Sequence, residues 1–398
     1  GAWSGTVGAG SGDNLFVTGG SLSYAAIERL NLTTGAGADL IDAAGYYSSL
    51  TSPLPQTSIA IAAGDPTSGA GDTVKLDFTG VAGPFVLALP SSGFSIPGYG
   101  PLTWTGVESL DVASLGDTFG PGSLYVRGSA SVDNIKFTEV SPGAFSIDIN
   151  GVVYGPYSSV QTVSAWGGAG NDRLTVQTTA SLTQFRLHGE DGADYLAGAS
   201  GPDLIWGDEP TGATPGADTI YGLSGDDRIY GERGNDLIYG NLGDDVISGG
   251  AGDDLIYGNE GQDILRGDDG KDVLYAISGN DVVIGGAGND TLSAGLDRTL
   301  LVGGTGVDTI NGRTGDLLVD GTTDRDADDA ALLAVVNEWK ARPNATGRAN
   351  ILNQQGLKVT NDVDRDVVYG SSTANAVDWF FTALTDVMMR KEAVDLLR

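Results

Sequence analysis

The sequence predicts an all-β chain, a parallel β-solenoid with a small helical C-terminal cap. Three observations carry this. A nine-residue repeat runs from Ala213 to Asp320 without losing register. The half before it is rich in glycine and β-branched residues and has little helical periodicity. Only the segment after Gly321 places apolar residues at helical spacing. The expected divisions are 1–185, an irregular β-solenoid with loop excursions; 186–321, the tight repeat; and 322–398, an α/β capping region.

Composition bounds the rest. A chain of 398 residues is long enough for two or three domains with real cores. Glycine, at 63 residues, is about twice as common as usual, and the excess is periodic. A hydrophobic content of 40% is too high for a disordered chain. Lys+Arg is 21 against 52 Asp+Glu, a net charge of −31. That balance argues against nucleic acid and anionic membranes as partners and favours cations. There is no cysteine, so disulfides and thiolate metal sites are excluded. No apolar run approaches the roughly 18 residues of a membrane span. Residue 1 is Gly and not Met, which reads as a processed form or a segment of something longer.

In the first half, Thr73 to Phe78, Phe85 to Leu89 and Ser123 to Val126 read as strands. Asn150-Gly151, between Phe145–Ile149 and Val152–Tyr154, is a hairpin signal. A longer repeat links Ile27–Leu32, Val107–Val112 and Val160–Ala165. The first and third of these run into glycine-rich turns carrying an acid, Asp39 and Asp172; the middle one gives only Leu115-Gly-Asp117. This half is expected to be a looser parallel solenoid, with a β-sandwich as the alternative. Asp39, Asp72 and Asp117 suit either a metal turn or a plain Asx turn.

Tight repeats begin at Gly189 and Gly198. Six extra residues, Gly207–Gly212, are expected to loop out. Twelve units follow, whose eighth position is Ile220, Ile229, Ile238, Ile247, Ile256, Leu265, Leu274, Val283, Leu292, Leu301, Ile310 and Val319. The unit is G-G-x-G-x-D-x-U-x, with U a large aliphatic residue, as in Gly231-Glu-Arg-Gly-Asn-Asp-Leu-Ile-Tyr239.

Each unit divides into a six-residue turn and a three-residue strand. Glycine lets the turn adopt positive φ and aim carbonyls inward, while Asp at position six supplies a carboxylate. Calcium takes six to eight hard oxygens, more than one turn offers. Two units make a coil of eighteen residues, so alternate units stack on one edge at about 4.8 Å. An ion can then share oxygens from two rungs. One edge carries Asp218, Asp236, Asp254, Asp272, Asp290 and Asp308; the other carries Asp227, Asp245, Asp263 and Asp281, then Thr299. Asp194 and Asp203 extend the two columns if the six residues loop out. Asp172, in the earlier glycine-rich turn, joins them as a further metal candidate. Adjacent Asp pairs give six sites on one edge and four on the other, about ten Ca²⁺, with the Thr299 site weak or empty. Stacked acids repel one another, so the roll is expected to be disordered or molten without calcium.

After Gly321, Asp324 to Ala341 reads as a helix, with Leu332, Val335, Val336 and Trp339 on one stripe and Asp328 and Asp329 in its first turn. Asp366–Gly370 reads as one more degenerate solenoid strand. Val377, Phe380, Phe381, Leu384, Val387 and Met388 suggest a second helix.

On these repeats, residues 189–320 resemble the RTX (repeat-in-toxin) calcium-binding β-roll proteins; the nonapeptide is a known signature of calcium-binding parallel β-helices. The resemblance implies a right-handed parallel β-solenoid of the RTX β-roll type, bacterial secretion to calcium-rich surroundings, and folding on arrival. The tail, with Asp324–Asp329, Asn337-Glu-Trp339 and Asp378-Trp-Phe-Phe381, is similar to the C-terminal region of large planctomycete-type calcium-binding surface proteins. The charged end, Arg390 to Arg398, departs from the uncleaved C-terminal secretion signal of many RTX proteins.

No catalytic motif is recognisable. His188 is the only histidine and reads as a strand-end residue, so an H-E-x-x-H zinc site is excluded, and no G-x-S-x-G elbow is present. A lyase or epimerase using Arg, Tyr and Ca²⁺ is the enzymatic alternative. Tyr221, Tyr239, Tyr257 and Tyr275 recur every 18 residues and should form an outward ladder, for packing or for docking glycans or a partner. The expected function is an extracellular, secreted or cell-surface structural or adhesive rod, with glycans or copies of itself as partners. The alternative is a polysaccharide-active enzyme or its carbohydrate-targeting module.

Overall fold

The computed structural model describes residues 122–178, 183–209, 214–313, 316–319, 321–323 and 326–341, with side chains through Glu338, and elsewhere the backbone of the strands named below. Asp39 and Asp72, and the side chain of Asp117, lie outside the described residues.

The chain separates into two compact units, residues 1–130 with 156–164, and residues 131–155 with 165–398. In the first, Arg29–Thr33, Ser58–Ala62 and Leu102–Thr105 pair in parallel, as do Leu40–Asp42, Thr73–Leu76 and Ser109–Val112. Parallel ladders between strands this far apart in sequence suit a solenoid and not a sandwich of antiparallel sheets. Loop excursions add antiparallel pairs, such as Phe85–Ala88 with Ser123–Arg127.

In the second unit the nonapeptides alternate between two parallel sheets. One receives Gln184–Asp191, Leu204–Trp206, Arg228–Arg233, Val246–Ala251, Ile264–Gly270, Val282–Gly288, Leu300–Thr305 and Leu317–Val319. The other receives Arg173–Gln177, Tyr195–Ala197, Thr219–Ser224, Leu237–Leu242, Leu255–Glu260, Val273–Ser278, Thr291–Ser293 and Thr309–Asn311. Because each strand is short and its neighbour in the sheet is two repeats on, the eighth-position residue meets the eighth position of the next rung, Ile238 on Ile256 for example, until Leu301, where a unit one residue short brings Leu318 and not Val319 into register. The eleven from Ile220 to Ile310 are fully buried and Leu318 takes the next inward place, while Val319 is buried in the outer-face cluster with Leu332. At about 2–3 kcal/mol for each aliphatic side chain removed from water, this column is the roll's core.

A hairpin closes one end of the second sheet. Ala144–Ile149 pairs antiparallel with Asn134–Ser141, which in turn runs parallel to Arg173–Gln177. Asn150 and Gly151 both take positive φ, 54° and 85°, as a two-residue hairpin turn between Ala144–Ile149 and Val152–Tyr157 requires. Phe137, Phe145 and Phe185 pack edge to face beneath it.

At the other end, Val367–Tyr369 extends the second sheet in parallel from Thr309–Asn311, the expected degenerate strand. Trp379–Phe381 and Val387–Met389 continue the two sheets as strands, so the second helix expected there does not form. Its apolar spacing was compatible with either period, and the aromatic and β-branched runs settle it toward the sheet edges already waiting for them. The first helix starts at Asp329, five residues later than the spacing predicts. Asp328 caps it, its Oδ1 accepting the Ala331 N–H at 3.0 Å, while the Asp326 carboxylate turns back to the Thr323 N–H. Leu332, Val335 and Val336 pack on Ile264, Val282, Ile284, Leu300, Val302 and Leu317, the outer face of the first sheet. The helix thus covers a flank of the roll.

Candidate metal centre

The turns owe their shape to glycine at the fourth position. Gly234, Gly252 and Gly270 have φ of +131°, +140° and +155°. A Cβ on any of them would overlap the carbonyl oxygen of the equivalent glycine one rung back, Gly216, Gly234 and Gly252 respectively. No other residue fits where the backbone must both reverse and stack this closely. The second position also takes positive φ, and there non-glycine residues occur: Glu232, Asn241, Asn259 and even Ile277.

The sixth-position acids form two buried columns, as the spacing predicts. Along one edge the backbone N–H of each Asp donates to Oδ1 of the Asp in the next rung: Asp172 to Asp194, Asp194 to Asp218, and onward through Asp236, Asp254, Asp272 and Asp290 to Asp308, at 2.6–2.9 Å. Along the other, Asp203 donates to Asp227, Asp227 to Asp245, Asp245 to Asp263 and Asp263 to Asp281 at 2.8–3.0 Å. The pairs Asp194/Asp218 and Asp203/Asp227 are each separated by 24 residues, so both ladders run on across the six extra residues.

The second carboxylate oxygen is the chemically telling atom. Oδ2 of Asp172, Asp194, Asp218, Asp227, Asp236, Asp245, Asp254, Asp263, Asp272, Asp281 and Asp290 is buried with no hydrogen-bond partner among the described residues. In each well-formed turn it lies over the bare Cα of the first-position glycine, beside the carbonyl oxygen of the corresponding residue one rung on. A Cβ on Gly231 would meet both Asp236 Oδ2 and the Gly249 carbonyl oxygen, and one on Gly222 both Asp227 Oδ2 and the Gly240 oxygen. Hard oxygens from two successive rungs therefore converge at each step. Among the described residues no point gathers three His, Cys, Asp or Glu side chains. A cation here must draw on backbone carbonyls as well as carboxylates, which is a calcium habit.

Burying a carboxylate without a partner is costly, and the acids register it. Desolvation raises Asp194, Asp218, Asp227, Asp236 and Asp263 to about 8, although the backbone N–H each accepts pulls the other way; neighbouring carboxylates add to the rise. The same causes put Asp203, Asp245, Asp254, Asp272 and Asp281 near about 7, with repulsion between carboxylates absent at Asp203. Asp172 and Asp290 reach about 6. Carboxyls raised in this way keep their protons further toward neutral pH, and a divalent cation would compete with those protons for the same oxygens.

Some rungs depart from the pattern. Asp203 uses both oxygens, accepting from the Phe185 N–H at 3.0 Å and the Ala199 N–H at 2.6 Å, so it is less open to a cation than its neighbours. Thr299 stands in the column with its hydroxyl buried and no carboxylate to offer. The column then resumes at Asp316, whose Oδ1 accepts the Thr299 N–H at 3.0 Å, a residue the strict period misses because it follows at seventeen. Asp133, likewise unforeseen, donates its N–H to Asp172 Oδ1 at 2.7 Å across the hairpin insertion.

The insertion itself sits two residues later than the sequence suggests. The Gly207 and Asp208 N–H groups donate to the carbonyl oxygens of Tyr230 and Gly231, and Gly207 lies beneath Asp218 Oδ2 as Gly231 does beneath Asp236 Oδ2. Gly207 and Asp208 are thus the first two turn positions, and the excess lies within residues 209–214.

Outside the turns, His188 lies within the strand Gln184–Asp191 and not at its end. Its ring is stacked between Trp166 and Trp206 at 4.8 and 4.4 Å, with Nδ1 3.3 Å from Glu209.

The family model of the RTX calcium-binding nonapeptide repeat matches in four copies, at residues 186–209, 213–247, 239–274 and 267–301. No curated protein matches the chain. The copies cover the turns from Asp194 to Asp290; Asp172 and Asp308 lie outside them. Residues 186–301 are an RTX calcium-binding repeat segment.

Proposed function

We propose that the two Asp columns, Asp172–Asp308 on one edge and Asp203–Asp281 on the other, hold about ten calcium ions, and that the loaded roll is a rigid rod within an extracellular structural or adhesive protein. The observation that carries the reading is the row of buried Oδ2 atoms with no hydrogen-bond partner, repeated rung after rung beside backbone carbonyls. An isolated defect of this kind would be a local cost. Eleven in register form a cation site repeated along an axis. Each ion would neutralise carboxylates from adjacent rungs and tie one coil to the next, which suits a load-bearing element. RTX repeats are typical of secreted bacterial proteins, and a calcium-rich exterior is where such a roll would be loaded. Three divisions, 1–185, 186–321 and 322–398, fit this reading, the last supplying the helix that flanks the roll.

A chelator titration followed by far-ultraviolet circular dichroism tests it. The sheet signal should fall as calcium is withdrawn and return on re-addition, with about ten ions taken up. A sheet signal indifferent to calcium would refute it.

A further inference from the structure

On the outer face of the second sheet, Tyr221, Tyr239, Tyr257 and Tyr275 stand one above another. Their ring centroids are 4.9, 4.9 and 5.0 Å apart, and successive planes differ by 4°, 6° and 13°. Each is the last residue of its repeat, in direct parallel register with the next. The rings are half-buried. Their faces cover one another, so the edges are left to solvent, with the hydroxyl and the carbons ortho to it. No inner face is open for a sugar ring to stack on. What the register does provide is alignment of like ortho carbons along the ladder.

We propose that this ladder is a site of oxidative modification, in which one-electron oxidation couples neighbouring tyrosines into rung-to-rung dityrosine. Two phenols each give one electron to the oxidant and their hydroxyl proton to water. The two phenoxyl radicals join ortho carbon to ortho carbon, and the two ring hydrogens at those carbons shift as protons to the oxygens, restoring both phenols. The net loss is two hydrogens per link, and the co-reactant is a two-electron acceptor such as a peroxide or persulfate. Coupling normally requires two radicals to meet by diffusion; here the partner is held one rung away. A link between Tyr239 and Tyr257 bridges the same coils that calcium bridges. The linked roll therefore keeps its sheets after calcium is removed.

This rests on the calcium-loaded roll, because only the folded roll aligns the rings. The test uses the full chain with calcium, its sheet signal recorded first, then exposed to a ruthenium photo-oxidant with persulfate. The expected product is a monomer with dityrosine emission, a loss of two hydrogens per link, and cross-linked peptides joining Tyr221 to Tyr239, Tyr239 to Tyr257 or Tyr257 to Tyr275. After chelation, linked protein should retain sheet signal that unlinked protein loses. Tyr195 also touches Tyr221, their ring centroids 5.5 Å apart, so the triple variant Tyr195→Phe, Tyr239→Phe, Tyr275→Phe is the one that keeps the stack but leaves no adjacent pair of phenols in it, and it should lower the intramolecular yield about tenfold. Folded protein that gives no ladder link, links only between chains, or an unchanged yield in the variant would overturn the proposal. If the sheet signal ignores the chelator from the outset, the calcium reading fails and the link yield alone decides this one.

Discussion

The backbone N–H of Asp236 donates to Oδ1 of Asp254 at 2.8 Å, while Oδ2 of the same Asp254 is buried with no partner. One carboxylate thus has two separable duties. Oδ1 fixes the rung below it, and Oδ2 is left for a cation. Asp254→Asn keeps an acceptor for Asp236 and removes the charge. It is expected to raise the calcium concentration needed for half-folding and to destabilise the loaded roll by about 1–3 kcal/mol. Asp253→Asn, whose Oδ1 accepts the Lys271 N–H at the exposed fifth position, should change neither. Calcium-dependent unfolding of the two variants checks this; equal effects would mean that both positions serve only the turn.

The direction of the pH dependence should reverse with calcium. Without a bound cation, burial would hold Asp218, Asp227 and Asp236 at about 8, above roughly 4 in an unfolded chain. A carboxyl group raised by folding adds stability that is fully present below its unfolded value and is lost as pH rises through its folded value. Chelated protein should therefore keep more of its sheet signal at about pH 5 than at pH 8.5, with the loss spread between about 4 and 8. With calcium present, protons compete for the same oxygens, so affinity should rise across that window and binding near pH 7 should release protons. Calorimetry in buffers of different ionisation heat measures that release.

The two glycine-like positions of the turn should respond in opposite ways to substitution. Gly252→Ala places a Cβ against the Gly234 carbonyl oxygen at φ +140° and is expected to cost more than about 2 kcal/mol. Ile277, at the second position, is a β-branched residue at φ +79° and is exposed. Ile277→Asn relieves that conformation and should stabilise the protein by up to about 1 kcal/mol. Denaturant midpoints of both variants in saturating calcium provide the comparison.

The eleven core residues from Ile220 to Ile310 were legible because a period of nine admits one inward position per strand, and each proved fully buried; the twelfth, Val319, was not, because the shortened last unit puts Leu318 inward and turns Val319 to the outer face. The Asp columns were legible for the same reason, even across a six-residue interruption. Asp316 and Asp133 were not, because a one-residue shortening and a hairpin insertion break the count while the hydrogen-bond ladder continues through them. The insertion was misplaced because the nine-residue register, counted back from Asp218, makes Ala213 the first turn position, and only pairing of Gly207 with the next rung shows that the turn begins there. Trp379–Phe381 was misread because its apolar spacing suits a helix, and nothing local reveals a sheet edge at Leu317–Val319 ready to receive it.

Attachment of the helix to the roll depends on one polar clamp and one apolar patch. Arg266 Nη2 lies 3.0 Å from the Asp326 carbonyl oxygen and 2.5 Å from Asp329 Oδ1, next to the helix cap. Leu332, fully buried, sits on the sheet face formed by Ile284 and Val302 with their neighbours. Leu332→Ala should cost about 2–5 kcal/mol, because the cavity it leaves adds to the lost burial. Arg266→Ala removes the three clamp bonds, one of them from Nε, but leaves a partly solvated Asp329, so its cost should be about 1 kcal/mol. Val335 and Val336 share the patch and Gln262 Nε2 donates to Asn337 Oδ1 at 3.2 Å, but Leu332 is the largest of the three buried side chains, so Leu332→Ala should loosen the helix locally while the rungs from Ile220 to Ile256 stay intact. Hydrogen exchange in saturating calcium checks this. Amides of 332–338 should lose protection in Leu332→Ala and largely keep it in Arg266→Ala, with the Leu237–Leu242 strand unchanged in both. Simultaneous loss across helix and rungs would instead make the helix part of the roll's cooperative unit.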